Sequence, residues 1–286
     1  MKTKIILFGM FLSVLSISCN KDDNSSKSTM TAEEASVNAK MDIANDDVSK
    51  IVEGQLGEED GISGRGTTGT EDFLPACATV TRVPALGTVI VAGTLITKTI
   101  DFGTTGCPLL NGNVLKGKII ITFTYQPSAT SHTINYEFSG FYHNAVLYEG
   151  NKFFSRVMTL ATATSPAHPV VTLNLDVTAT FLNGKTYHRV GTRVREIVAG
   201  YGTSILVDNV YNVTGNWTTT FPNTTVQNST ITTPLVIKLN CANIVKGVIT
   251  STRNGNTATL DYGNGDCDNL AVFTFNGVAH NIVLGN

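Results

Sequence analysis

Oxygen-bearing side chains crowd one short stretch of the chain: Asp261, Asn264, Asp266, Asp268 and Asn269, interleaved with Gly263 and Gly265. Oxygen donors on a glycine-rich loop are what a hard cation such as calcium takes. The spacing departs from the Asp-x-Asp-x-Asp-Gly loop with its distal Glu, and Asn, Asp and Gly are equally the residues that turns require. Asp261, Asn264, Asp266 and Asp268 are thus candidate calcium ligands, with turn formation as their competing role. No other cofactor is expected. A second kind of chemistry is stacking. Trp217 is the one tryptophan, and with Tyr211 and Phe221 nearby it offers a ligand face such as a sugar ring would use. One Trp makes a thin platform, and core packing is its plainer role.

Catalytic constellations are harder to find. The five histidines, His132, His143, His168, His188 and His280, are scattered along the chain. Glu137, Glu149, Asp176 and Glu196 show no local pairing of the sort that two-carboxylate glycoside hydrolysis needs. A nucleophile elbow requires Gly-x-Ser-x-Gly; Tyr201-Gly202-Thr203-Ser204-Ile205 comes nearest and lacks the second Gly. His-Glu-x-x-His, Cys-x-x-Cys and phosphate-binding Gly loops are absent from the sequence. No residue receives a catalytic assignment.

The elements that must position these residues are strands. From Val171 to Phe181 every odd position is apolar and every even one polar. Ile119, Ile121 and Phe123 repeat the pattern, as do Leu235, Ile237 and Leu239, and Ala271, Phe273 and Phe275. Alternation of period two means strands with one buried and one wet face. Asn111-Gly112, Asn183-Gly184, Asn254-Gly255 and Asn276-Gly277 supply hairpin turns. No intervening stretch leaves room for crossover helices. The expected fold is all-β: a large antiparallel meander of roughly twelve strands, closed into a barrel or split into a β-sandwich.

Cysteine register adds detail. A two-residue loop at Asn254-Gly255 pairs Arg253 with Asn256 and sets Cys241 opposite Asp268, one residue past Cys267. A loop at Ala92-Gly93 pairs Val91 with Thr94 and sets Cys77 opposite Pro108, one residue past Cys107. A single β-bulge in each hairpin, at residues 263–265 and 103–106, would bring Cys77–Cys107 and Cys241–Cys267 together. The surroundings repeat too: Ile100-Asp101-Phe102-Gly103 precedes Cys107 as Leu260-Asp261-Tyr262-Gly263 precedes Cys267. Two related hairpins, each stapled by a disulfide worth roughly 3.5 kcal/mol, open and close the domain.

The chain has 286 residues and 5 cysteines, an odd number that the N-terminus explains. Residues 1–18 read as a signal peptide, with Lys2 and Lys4 before the apolar run Ile5 to Ile17 and a small residue, Ser18, before Cys19. Setting Cys19 aside as a lipidation site leaves four cysteines for two disulfides, as an oxidising compartment permits. Residues 20–76 carry 13 acids and 5 bases, and residues 77–286 carry 9 acids and 13 bases. Residues 19–76 therefore read as a lipidated, acidic, disordered tether. One short helix interrupts it, with Thr31-Ala32-Glu33-Glu34 as a capping box and Met41, Val48, Ile51 and Val52 as its apolar stripe. Residues 77–286 form the antiparallel β domain. Their bases are not clustered, which argues against nucleic acid as a partner.

Leu15-Ser16-Ile17-Ser18-Cys19 resembles a bacterial lipobox, and Lys21-Asp22-Asp23 resembles the lysine-plus-acids signal that sends lipoproteins to the cell surface. The run of Cys, hairpin, hydrophobic-Asp-aromatic-Gly, Cys, then Asn-Gly resembles surface-exposed lipoproteins of the Bacteroidota, of flavobacterial type. That resemblance covers most of residues 77–286. It implies an outer-membrane, lipid-anchored, cell-surface location and brings no catalytic residues. The expected function is a non-enzymatic structural or interaction module, held to the membrane by its anchor and meeting a protein or glycan partner. The alternatives are a binding module for glycan, small ligand or calcium, marked by a concave pocket, and a hydrolase, marked by His and acid meeting in one cleft.

Overall fold

The structure, a computed structural model, describes residues 29–57, 74–162, 166–201, 203 and 206–285. The expected signal peptide, Cys19 and the glycine-rich stretch at 61–69 lie outside the described residues. One helix, α1 (Ala32–Gly57), precedes all the strands. They are β1 (Thr79–Val83), β2 (Leu95–Asp101), β3 (Cys107–Pro108), β4 (Val114–Thr124), β5 (Ser131–His143), β6 (Val146–Met158) and β7 (Pro169–Thr180). There follow β8 (Thr186–Ala199), β9 (Val210–Thr220), β10 (Val226–Lys238), β11 (Lys246–Arg253), β12 (Asn256–Asn264), β13 (Leu270–Phe275) and β14 (Val278–Val283).

The strands form one antiparallel meander in which neighbours in sequence are neighbours in space, with two-residue β3 paired to β4 off the main path. The all-β meander is therefore as the alternation predicts. The sheet neither splits in two nor closes, and β1 and β14 are its edges. Inward positions follow the period-two reading: Val171, Leu173, Leu175, Val177 and Ala179 on β7 are buried, as are Ile119, Ile121 and Phe123 on β4.

What the sheet encloses is the helix. The capping box forms as its spacing predicts, with Glu34 N donating to Thr31 Oγ1 at 3.2 Å and Thr31 N to Glu34 Oε2 at 3.3 Å. The helix is neither short nor part of a solvated tether: it runs 26 residues, and every residue from Met41 to Ser49 is buried. The domain thus begins near Thr29 instead of at residue 77. Two apolar clusters show how the sheet wraps it. Met41, Ala44, Val48, Ile51 and Val52 pack with side chains of β2 to β8. Met30, Ala35, Ala39 and Ile43 pack with β9 to β14. Successive strands therefore advance from the C-terminal half of the helix to the N-terminal half, which displaces β1 from β14 along the axis.

Wrapping demands local bends, and glycine supplies them. Gly117 on β4 has φ of 77°, and a Cβ there would sit 2.0 Å from the Gly140 carbonyl oxygen. The register with β5 shifts at this point. Gly215 on β9 has φ of 139°, with its missing Cβ 2.2 Å from the Thr192 oxygen of β8. Gly215→Ala is expected to lower unfolding free energy by at least about 2 kcal/mol in a urea titration, since both the backbone and the strand spacing must yield. An unchanged midpoint would refute this account of the bend.

Both disulfides form, with Cα–Cα separations of 5.7 Å for Cys77–Cys107 and 5.2 Å for Cys241–Cys267. The strands reach these pairings by registers other than the expected ones. Arg253 does pair with Asn256, and a bulge falls where β12 fits two residues, Tyr262 and Gly263, against Gly247. That bulge moves the register away from the cysteines, however, and Cys241 and Cys267 join across loops beyond the strand ends. In the first hairpin Val83 pairs with Thr97, so the strands close well before Val91. The turn at Ala92-Gly93 forms, Thr94 N donating to Val91 O at 3.0 Å, but it only ends a long connection. The repeated motif keeps its geometry. Asp101 Oδ1 accepts from Gly103 N at 2.8 Å, Asp261 Oδ1 accepts from Gly263 N at 2.9 Å, and Phe102 and Tyr262 are both buried.

Candidate functional site

The helix places Glu34, Asn38, Asp42 and Asp46 four residues apart, on one stripe. Opposite them stand arginines from the sheet. Arg253 Nη1 lies 3.0 Å from Glu34 Oε2. Arg189 donates to Asn38 Oδ1 at 2.8 Å and to Asp42 Oδ1 at 2.6 Å. Arg193 also donates to Asp42 Oδ1, and Tyr262 OH donates to Asp42 Oδ2 at 3.2 Å. Arg195 donates to Asp46 Oδ1 at 3.0 Å, and Lys50 Nζ lies 2.8 Å from Asp46 Oδ2. At the far end Lys98 Nζ donates to the Gln55 carbonyl at 2.8 Å, meeting a C-terminal oxygen that the helix cannot satisfy itself.

Buried charges on this scale cost several kcal/mol each to desolvate, and only close partners offset that. The aromatic residues contribute here. Trp217, 3% exposed, has the Arg193 guanidinium 4.3 Å from its ring centre and Arg189 at 5.0 Å. Arg195 lies 3.7 Å over Tyr211, and Arg253 4.0 Å over Phe221. Trp217 and Tyr211 are therefore platforms for the protein's own cations. Trp217 is too deeply buried to present its ring to a sugar at the surface.

On other faces of the helix stand two further polar groups. Lys152 on β6 donates to Asn45 Oδ1 at 2.8 Å and is packed against the rings of Tyr136 and Phe138. Burial, together with the charges of Arg193 and Arg189, pulls its ammonium down to about 7. Asp47 is held by Asn111 at 2.8 Å, Asn113 at 2.7 Å and His143 Nε2 at 2.9 Å. Burial pushes its carboxyl up, but the His143 hydrogen bond and the Lys50 charge outweigh this and hold it below the ordinary range.

Beside His143 opens a cavity of about 560 Å³, where the turns after β5 and β7 face the helix. Its walls include Ile43, Val146, Phe181 and Leu182, and its polar lining includes Lys40, Asn113, His143 and Asn144. His143 and Asp47 thus meet as a hydrolase reading requires, at the edge of a cavity. Among the described residues no hydroxyl or thiol hydrogen-bonds His143.

The sequence-derived candidates are dispersed. Asp261 and Asp268 accept from the backbone of Gly263 and Leu270, which is turn chemistry, and Asp266 is exposed in the same loop. Asn264 ends β12. Among the described residues no group of three or more His, Cys, Asp or Glu is placed to hold a metal. Glu196 and Asp176 each meet a histidine, His168 at 3.0 Å and His188 at 2.8 Å, in separate pairs: His168 is buried, and Glu196, Asp176 and His188 are exposed. His132 bonds the Ala129 carbonyl, and His280 stacks on Phe273.

Sequence reasoning passed over the arginines, Lys152, His143 with Asp47, and the cavity. One signal was available: the acidic excess of residues 20–76 against the basic excess of the remainder is what two complementary surfaces would show. The chain matches no protein-family model, no curated protein and no solved structure.

Proposed function

We propose that the chain is a lipid-anchored, surface-displayed module of non-enzymatic, structural or interaction type, acylated at Cys19. The supporting observation is the place of the helix. Thr29, ten residues beyond Cys19, is already bonded to Arg253 through its carbonyl at 3.2 Å. Ten residues reach at most roughly 36 Å. A short stretch of chain thus joins the anchor to a helix that the sheet clamps. Two or more acyl chains give the stable attachment that this needs.

Cys19→Ala tests the reading. The wild-type chain is expected in the membrane fraction, labelled by radioactive palmitate and digested when intact cells meet protease. The variant is expected unlabelled and released from that fraction. Wild-type protein that is unlabelled, or that fractionates as the variant does, would overturn the proposal. A ligand-binding role is the second reading, and the cavity beside His143 is the observation that favours it.

A further inference from the structure

The cavity's one charged group without an acidic partner is a cation, and from it we propose that the cavity binds an amphipathic carboxylate: an alkyl chain along its walls and an anionic head at Lys40. The inference stands apart from the anchor and from display. The volume, about 560 Å³, lies in the range of small-molecule sites, and the lining is mainly apolar with a few polar groups converging at one side. Ile43, Val114, Val146 and Phe181 supply walls, and Leu182, 86% exposed, stands at the rim.

The head group follows from hydrogen-bond accounting. The acid nearest the cavity, Asp47, is already met by His143, Asn111, Asn113 and Lys50. The Asn144 amide is fixed, its Oδ1 accepting from Val114 N at 2.8 Å and its Nδ2 donating to Asn113 Oδ1 at 3.0 Å. One N–H of that amide is left over. Lys40, by contrast with Lys50, Arg189, Arg193, Arg195 and Arg253, has no acidic partner among the described residues. What the cavity offers a ligand is therefore chiefly donors, the Lys40 ammonium and the spare amide N–H groups of Asn144, Asn113 and Asn183, beside the second ring nitrogen of His143. The complement is an anion with lone pairs, and the apolar walls require that it carry a chain. A cationic head would meet Lys40 as a like charge; a neutral one would leave that charge unanswered.

The test uses the full chain in its Cys19→Ala form, which keeps every described residue and removes the protein's own acyl groups as competitors. Calorimetric titration with sodium laurate below its micelle concentration is expected to show one site. Dodecanol, with the chain and no charge, is expected to bind at least tenfold more weakly, and acetate, with the charge and no chain, not measurably. Lys40→Met should weaken laurate at least tenfold and leave dodecanol unchanged. Ala145→Trp, at an exposed position of the lining turn, should abolish both, with an unchanged circular-dichroism melting midpoint showing that the fold survives. Failure of laurate to bind would overturn the proposal. So would dodecanol binding as tightly as laurate, or laurate binding that ignores both substitutions.

Discussion

Replacing Asp42 with alanine is expected to cost about 3–5 kcal/mol of unfolding free energy, read from urea titration by far-ultraviolet circular dichroism. The carboxylate is wholly buried and receives Arg189, Arg193 and the Tyr262 hydroxyl. Its removal leaves two guanidinium groups inside the protein with no counter-charge between them. Burial already pulls the Arg189 guanidinium down, and Asp42 is the group that opposes this. The cost belongs to the stranded cations more than to the lost attraction. A second substitution separates the two: Arg193→Met added to Asp42→Ala should recover part of the loss, because one stranded charge disappears. A single-variant loss below about 1 kcal/mol, or a double variant weaker than the sum of its parts, would contradict the clamp.

Lys152→Met should stabilise the protein, and more so at low pH. An amine whose folded value is depressed is carried protonated by the unfolded chain over a window where the folded chain has shed the proton. That window runs here from about 7 to the ordinary 10.5. Within it stability rises with pH, because the unfolded state binds more protons. Below about 7 the ammonium is held in both states, and the wild type bears the full cost, of the order of 4–5 kcal/mol by linkage. The gain from Lys152→Met is therefore expected to be larger at pH 6 than at pH 9 by roughly 2–3 kcal/mol. Asn45 loses its partner at either pH, so that loss cancels in the comparison. Equal gains at the two values would show that Lys152 keeps its charge in the folded protein.

Both expectations concern side chains whose types are plain in the sequence but whose direction is not. On β8 the apolar residues Val190, Val194 and Val198 alternate with Arg189, Arg193 and Arg195. A two-residue loop at Asn183-Gly184 would turn the valines inward. The loop instead spans three residues, with Phe181 N donating to Lys185 O at 3.0 Å, so that Leu173 opposes Arg193 and Val177 opposes Arg189. Directly opposed residues share a face, and β7 buries its odd positions; β8 must then bury its arginines and leave Val190 and Val198 half exposed. A slip of one residue inverts a strand. The acids of the helix are what make the inverted choice stable.

Local pattern by itself determined the strands, their antiparallel succession, the capping box at Thr31, the turn at Asn254-Gly255 and the two cysteine partnerships, since each follows from residues close in sequence or from simple pairing. It also determined that residues 20–76 are too acidic and too poor in apolar side chains to build a core of their own. Only the tertiary structure decided that part of that segment is the core of something else. A polar helix is buried when, and only when, a surface of opposite charge surrounds it, and that surface is assembled from β6, β8 and β11, more than a hundred residues downstream. No window along the chain contains both halves of the interaction. The same separation hid the cavity, whose cation comes from the helix and whose walls come from turns that meet it only after the sheet has wrapped.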